Sequence, residues 1–193
     1  MQRILKKVRC FNPEILKTAA NLTVACLISG CVIALVYFIT EPLTEKNRVK
    51  YVQDAMQSLI PDASSFSPIK NHANWYKAVR GNKITGYIMR VKTMGYGGKI
   101  MILAAADTNG RMLDYSILEH NETPGLGDRA DKQNFRRQFR GKAIDQLVVV
   151  KIHDPDKIDA LSGATITSNA VTYGIRTELE KLISYLQTNK EDK

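Results

Sequence analysis

Between Asp159 and Val171 the chain reads DALSGATITSNAV, and five of these thirteen residues carry hydroxyl or amide side chains: Ser162, Thr165, Thr167, Ser168 and Asn169. Apolar residues follow at helical spacing, at Val171, Ile175, Leu179, Leu182 and Leu186, and predict a final amphipathic helix. One hydroxyl suffices to cap such a helix, with Thr167 or Ser168 in that place. No Glu or Gln stands three residues after either, so the capping box stays open. First-turn N–H groups could then receive an external anion, for which a helix N-terminus favours phosphate. Gly163 and Ala164 remove bulk beside Thr165 and leave its hydroxyl reachable. These residues describe a phosphate-binding helix entrance with an accessible threonine, without naming the ligand.

Two glycine-rich loops could accompany it. MGYGGKI, Met94–Ile100, lies between strand-like runs, and HNETPGLGD, from His120, holds Pro124-Gly125, a ready type II turn. Each reads as an ordinary connection, or as backbone that lets N–H groups approach a planar or phosphorylated ligand. Other chemistries fit less well. His72, His120 and His153 share no metal-ligand spacing. Asp154, Asp156 and Asp159 begin like a calcium loop, but Asp159 stands where the glycine belongs and Thr165 where the closing glutamate belongs. There is no G-x-S-x-G elbow, no P-loop and no complete dinucleotide fingerprint. A hydrolase built on Thr165 or Ser162 would need a histidine, and His153 is the one close in sequence.

The elements that must position these residues follow from periodicity. Helical spacing at Val49, Val52, Met56 and Leu59 predicts a helix over Thr44–Ile60, closed by Pro61. Strand-like runs cover Trp75–Arg80, Ile84–Val91, Lys99–Ala106 and Met112–Leu118, with Asn109-Gly110 as a turn. Phe135 and Phe139 predict a helix over Asp131–Arg140, and QLVVVK, Gln146–Lys151, reads as a buried strand. Strands in runs, with helices before, within and after, give an α+β domain with an antiparallel or mixed sheet and flanking helices. The charged tail NKEDK reads as frayed.

Ahead of this domain, Thr18–Thr40 runs 23 residues without a charge, roughly 34 Å as a helix against a hydrocarbon core of about 30 Å. No small-residue cleavage pattern ends it, so an uncleaved membrane span is expected over residues 18–40. Before Thr18 five basic residues face one acid, which puts residues 1–17 in the cytoplasm and residues 41–193 outside it, with the chain in a bacterial cell membrane. Of the formal net charge of +9, the remainder of the chain carries +5. The short cluster Arg136, Arg137 and Arg140 reads as a solvated helix face, and no nucleic-acid partner is expected. All three cysteines, Cys10, Cys26 and Cys31, precede residue 32, so the domain has no disulfide and no cysteine-held metal.

Asp159-Ala-Leu-Ser162-Gly163-Ala164-Thr165 resembles the D-x-x-[ST]-G-A-T flavinylation motif of FMN-binding domains in the Rnf and sodium-pumping quinone reductase complexes. Glu122-Thr123-Pro124-Gly125-Leu126-Gly127 is similar to that family's E-T-P-G-L-G loop, and Gly95-Tyr96-Gly97-Gly98 to its glycine loop. The resemblance, in motif order and total length closest to the Rnf G subunit, implies covalent FMN on Thr165 through a phosphoester. Thr167 is the runner-up acceptor, or else a cap or phosphate contact. Ser162, Gly163 and Ala164 and the two loops would lie near the cofactor. Asp159 would be read by a separate flavin transferase. The implied partners are the other membrane subunits of an Rnf-type complex, especially the other FMN-carrying one. The implied activity is electron relay in ferredoxin:NAD oxidoreduction coupled to sodium or proton movement. The alternative is an anchored module that holds a phosphorylated ligand reversibly.

Overall fold

The computed structural model describes residues 13–70 and 72–191. Most of the basic segment 1–17, with Cys10, and the last two residues of the tail lie outside that range. Two compact units divide at residues 50 and 51.

The predicted span and the helix expected after it form one helix, α1 (Pro13–Leu59), continuous through position 42. Residues 13–41 are apolar enough to cross a membrane, with a mean hydropathy of 2.5 and none of the most apolar window buried. Four hydroxyls in α1 are satisfied by its own backbone: Thr18, Thr23, Ser29 and Thr44 each donate to the carbonyl four residues back, at 2.8–3.0 Å. That leaves no polar group of these side chains to be solvated by lipid. Cys26 and Cys31 are free and exposed on this helix.

From Tyr51 onward the second unit is built on one antiparallel sheet in chain order. Its strands are β1 (Ser65–Ile69), β2 (His72–Arg80), β3 (Lys83–Met94), β4 (Lys99–Ala106) and β5 (Met112–Glu119). Alternation along β3 and β4 serves two cores. Met89, Val91, Ile100, Ile102 and Ala104 face α3 (Thr165–Glu191), which contributes Val171, Ile175, Leu179 and Leu182. Ile88, Leu103 and Ala105 face the other way, onto Ala55, Met56 and Leu59 in the last turns of α1. A sheet covered on both faces needs strands apolar on both faces, which is why β4 reads KIMILAAA.

The structure departs from the periodicity in five places. β1 was not expected; it is an edge strand with only Ile69 buried, a burial pattern without alternation, and Pro68 beside a register shift. Asp131–Arg140 is not one helix but a short α2 (Gln133–Arg136) between 3-10 turns at Gly127–Asp131 and Arg137–Phe139. Phe135 and Phe139 are buried one turn apart as expected. The Asp131 carboxylate, however, accepts the Ile117 N–H at 3.0 Å, and Lys132 is extended, so the chain restarts there. Of the basic cluster, Arg137 and Arg140 are exposed as expected, but Arg136 is half-buried, and Arg136 and Arg140 pair with Asp114, at 3.1 and 2.8 Å. The buried strand expected at Gln146–Lys151 shrinks to β6 (Val149–Val150), half-buried and paired in parallel with β7 (Ile158–Asp159). Finally, α3 continues to Glu191, into the tail that reads as frayed.

Candidate functional site

The helix at the hydroxyl cluster begins at Thr165, so neither Thr167 nor Ser168 caps it. Both lie inside its first turn with their hydroxyls consumed. Ser168 Oγ accepts the Leu161 N–H and donates to the Ala164 carbonyl, each at 2.9 Å, and is fully buried. Thr167 Oγ1, 1% exposed, donates to Glu122 Oε2 at 2.5 Å. Thr165, by contrast, is half-buried and its hydroxyl bonds no other described residue. Ser168 folds the segment 161–164 back over the helix start, Ala164 N–H bonds the Leu161 carbonyl at 3.0 Å, and Gly163 takes φ +79°. The N–H groups of Thr165, Ile166 and Thr167 have no acceptor among the described residues, because the residue ahead of the helix is Ala164, which has no side-chain acceptor, and not Thr167 or Ser168.

The two glycine loops meet this helix start. Gly95–Gly98 is the connection between β3 and β4, with Gly95 N–H bonded to the Gly98 carbonyl at 2.7 Å. In the second loop the Leu126 N–H bonds the Thr123 carbonyl at 3.1 Å with Gly125 at φ +79°, which is the type II turn expected of Pro124-Gly125. Contact between the loops is backbone on backbone: a Cβ on Gly97 would stand 1.9 Å from the Asn121 carbonyl oxygen. A Cβ on Gly127 would stand 2.9 Å from Thr167 Oγ1, and one on Gly163 would stand 3.0 Å from Leu126 Cδ2. Three stretches separated by up to seventy positions are thereby brought to one place. The helix is also held to β3, where Thr93 Oγ1 donates to the Ala170 carbonyl at 3.0 Å and Gly174 lies against Val91 and Thr93.

Large apolar side chains stand uncovered here. Tyr96 is 72% exposed and Leu126 42%, and Met94, Ile166 and Tyr173 are exposed on the adjoining strand end and helix face. Ile166 and Tyr173, seven positions apart and therefore on one helix face, were not among the expected site residues, since a helix start at Thr167 or Ser168 leaves Ile166 outside the helix; the signal was their spacing.

Asp159 is engaged elsewhere. Its backbone N–H bonds Gln138 Oε1 at 2.7 Å, and its carboxylate takes His153 Nδ1 at 2.7 Å. Both residues line a polar cleft of about 360 Å³ with Arg137, Lys142, Asp154 and Lys157. Lys157 pairs with Asp154 at 3.3 Å, and Lys142 donates to the Pro155 carbonyl at 2.5 Å. The backbone N–H of Asp156 and then Lys157 hold the Asp154 carboxyl below the usual carboxylate range. His153 thus serves Asp159, not Thr165. His120 Nδ1 accepts the Glu122 N–H at 3.2 Å, and His72 stacks on Trp75 with ring centroids 4.1 Å apart. No histidine is paired with a hydroxyl nucleophile among the described residues, and the hydrolase reading loses its base.

Comparison with known proteins bears on the same residues. The FMN-binding domain family matches residues 95–180, a range that takes in all three stretches. The G subunit of the proton-translocating ferredoxin:NAD(+) oxidoreductase complex of Clostridium ljungdahlii is 44% identical over 166 residues, covering 86% of this chain and 90% of its own. The G subunit of the Na(+)-translocating ferredoxin:NAD(+) oxidoreductase complex of Acetobacterium woodii is 28% identical, covering 91% and 95%. Among solved structures, the C subunit of the Na(+)-translocating NADH-quinone reductase of Parabacteroides distasonis superposes with a TM-score of 0.50 at 26% identity, over 58% of this chain and 61% of that one. NqrC of Shewanella oneidensis gives 0.51 at 19% identity, over 67% of this chain and 73% of that one, and shares the fold.

Proposed function

Because the chain belongs to the G-subunit family of ion-translocating oxidoreductase complexes, we propose that it serves such a complex as an electron carrier, with FMN held on Thr165 through a phosphoester. It is a single-pass membrane protein through α1. The basic segment would lie in the cytoplasm and residues 41–193 outside it. FMN would supply electron transfer between donors and acceptors in the other members of the complex, those of ferredoxin:NAD oxidoreduction named for the relatives.

The observation that carries the reading is the division of labour among the hydroxyls. Ser168 and Thr167 are buried and spent on internal bonds, while Thr165 keeps a half-buried hydroxyl bonded to no described residue at a helix start. The residues fit the group on three counts. First-turn N–H groups without acceptors suit a phosphoryl group. Tyr96 and Leu126 offer exposed apolar surface beside it for a planar ring. Gly95, Gly97, Gly125 and Gly127, with Thr123 and Pro124, keep the intervening backbone low, and Ser162, Gly163 and Ala164 form the tight approach to Thr165. No general base bonds the Thr165 hydroxyl, which supports attachment by a separate flavin transferase that reads Asp159 and its neighbours. The chain's own part is then to orient the flavin and exclude alternatives, not to catalyse.

The test of function is made in the assembled complex. Thr165→Ala should leave the complex assembled and abolish NAD+ reduction by reduced ferredoxin; undiminished reduction would remove Thr165 from the electron path. The other reading, a reversible binder of phosphorylated ligands, rests on the same free N–H groups. It predicts a colour lost on acid precipitation, whereas covalent flavin stays with the protein.

A further inference from the structure

Glu122 is 5% exposed, yet it sits in a loop whose next four residues are all exposed. Its carboxyl group points away from solvent into the junction of the three stretches. Oε1 accepts the Gly97 N–H at 2.9 Å, from the first glycine loop. Oε2 accepts the Thr167 hydroxyl, from the first turn of α3. The residue itself belongs to the second loop, whose turn its N–H begins by bonding His120 Nδ1. Two glycines make room for it: a Cβ on Gly95 would stand 2.3 Å from Oε1, and one on Gly127 would stand 2.6 Å from Oε2. With one oxygen for each neighbouring stretch, the carboxyl group has no need of a ligand to complete its bonding.

We propose that Glu122 is a positioning residue, the internal clip that holds both glycine loops and the helix start in register, and not a group that touches the cofactor. Burial of a carboxyl group is costly unless its oxygens are bonded, and here both are bonded, one by each neighbouring stretch. The consequence for the flavin rests on the reading of Thr165 above; the clip is a property of the chain before any flavin is attached. The same geometry assigns Thr167 to the clip and removes it as the runner-up acceptor, since its hydroxyl is already spent.

The experiment compares full-length wild type, Glu122→Ala, Glu122→Gln and Thr167→Val in detergent, first without flavin, by amide hydrogen exchange. Glu122→Gln keeps an acceptor for Gly97 and offers its amide N–H to Thr167 Oγ1, whose own proton can turn to the helix backbone as that of Ser168 does. Glu122→Ala should speed exchange about tenfold or more at Gly95 and Gly97 and at Ala164 and Ser168, the bonded amides of the two segments, while leaving the centre of β4 protected. Glu122→Gln should stay within about threefold of wild type at both. Thr167→Val, which removes one bond without removing the side chain's volume, should loosen 163–168 and spare Gly97. It keeps the test open should Glu122→Ala fold poorly. In flavin-loaded protein, Glu122→Ala should lower the anisotropy of flavin fluorescence, and Glu122→Gln should restore it. Exchange in Glu122→Ala equal to wild type over both segments would overturn the proposal, as would Glu122→Gln behaving like Glu122→Ala. A wild-type chain that never acquires flavin on Thr165 would sink the functional reading, while the exchange contrast would still decide the clip.

Discussion

The backbone contact between the two glycine loops allows a sharp test by Gly97→Ala. Gly97 is not among the positive-φ glycines, so the substitution adds no conformational strain of its own. What it adds is a methyl group 1.9 Å from the Asn121 carbonyl oxygen, 2.6 Å from the carbonyl carbon and 3.0 Å from the Glu122 nitrogen. None of these atoms is the end of a flexible side chain. Ordinary contact begins at 3.4 Å, so the loops must part by about 1.5 Å. That is enough to break the 2.9 Å bond from Gly97 N–H to Glu122. Overpacking costs roughly 1–3 kcal/mol, and since Gly97 is exposed its freed N–H can be solvated, so with backbone on both sides of the clash we expect about 2–3 kcal/mol from the overpacking itself. For a domain of this size that lowers Tm by roughly 5–12 °C. Trp75 is the only tryptophan and is buried at 3% exposure, so its fluorescence reports the unfolding directly. Gly174→Ala is the matched control. Its methyl group would meet only side-chain atoms of Thr93 and Val91, at 3.0 Å, and alanine regains up to about 1 kcal/mol of helix propensity. That variant should melt within a few degrees of wild type. A Gly97→Ala protein that melts within about 2 °C of wild type would show that the loops are not in backbone contact, and the site as described would fall.

Three further outcomes follow from particular bonds. Asp114→Ala should destabilise the domain by about 2–4 kcal/mol in urea titrations, because it strands Arg136, whose side chain is 19% exposed, and also releases Arg140. Burial, then the nearby Asp131, raises the Tyr115 phenol well above its ordinary range. A group whose folded value is raised contributes stability that is fully present below the unfolded value and is lost as pH rises from there towards the folded one, so urea midpoints should fall as pH rises above about 10 and fall less steeply in Tyr115→Phe. The Asp154 carboxyl is held low chiefly by the Asp156 N–H and secondarily by Lys157, so Lys157→Met should move its NMR titration only part of the way up. Its contribution to stability is present above the unfolded carboxylate value and is lost as pH falls through the folded one.

The parts of this fold legible in the sequence are those decided by a local period or by turn chemistry. β3 and β4 announce themselves as apolar runs bounded by glycine, and Pro124-Gly125 makes the turn that its residue types demand. The start of α3 was misplaced by three to four residues because Thr167 and Ser168 are good capping residues. Here tertiary partners, Glu122 and the Leu161 N–H, outbid that local role. β1 was invisible because an edge strand with one buried residue has no alternation to read. The helix over Asp131–Arg140 failed where the Asp131 side chain caps a strand N–H fourteen positions back, a bond that no window of neighbouring residues contains. The candidate site divides in the same way. Thr165 and the glycines stand out by type and spacing, whereas the convergence of all three stretches on the Glu122 carboxyl group is a long-range fact. Nothing around Glu122 in the sequence separates an inward carboxyl group from one that greets a ligand.

The most direct test of the central claim is the intact mass of the full-length protein, made beside Thr165→Ala, from cells that contain an active flavin transferase. Wild type should gain the mass of FMN less one water, and the variant should gain nothing while retaining the Trp75 fluorescence of the folded domain. An unmodified wild type from a strain that flavinylates a control protein, or a variant that still carries the added mass, would contradict the assignment of Thr165 as the carrier of the flavin.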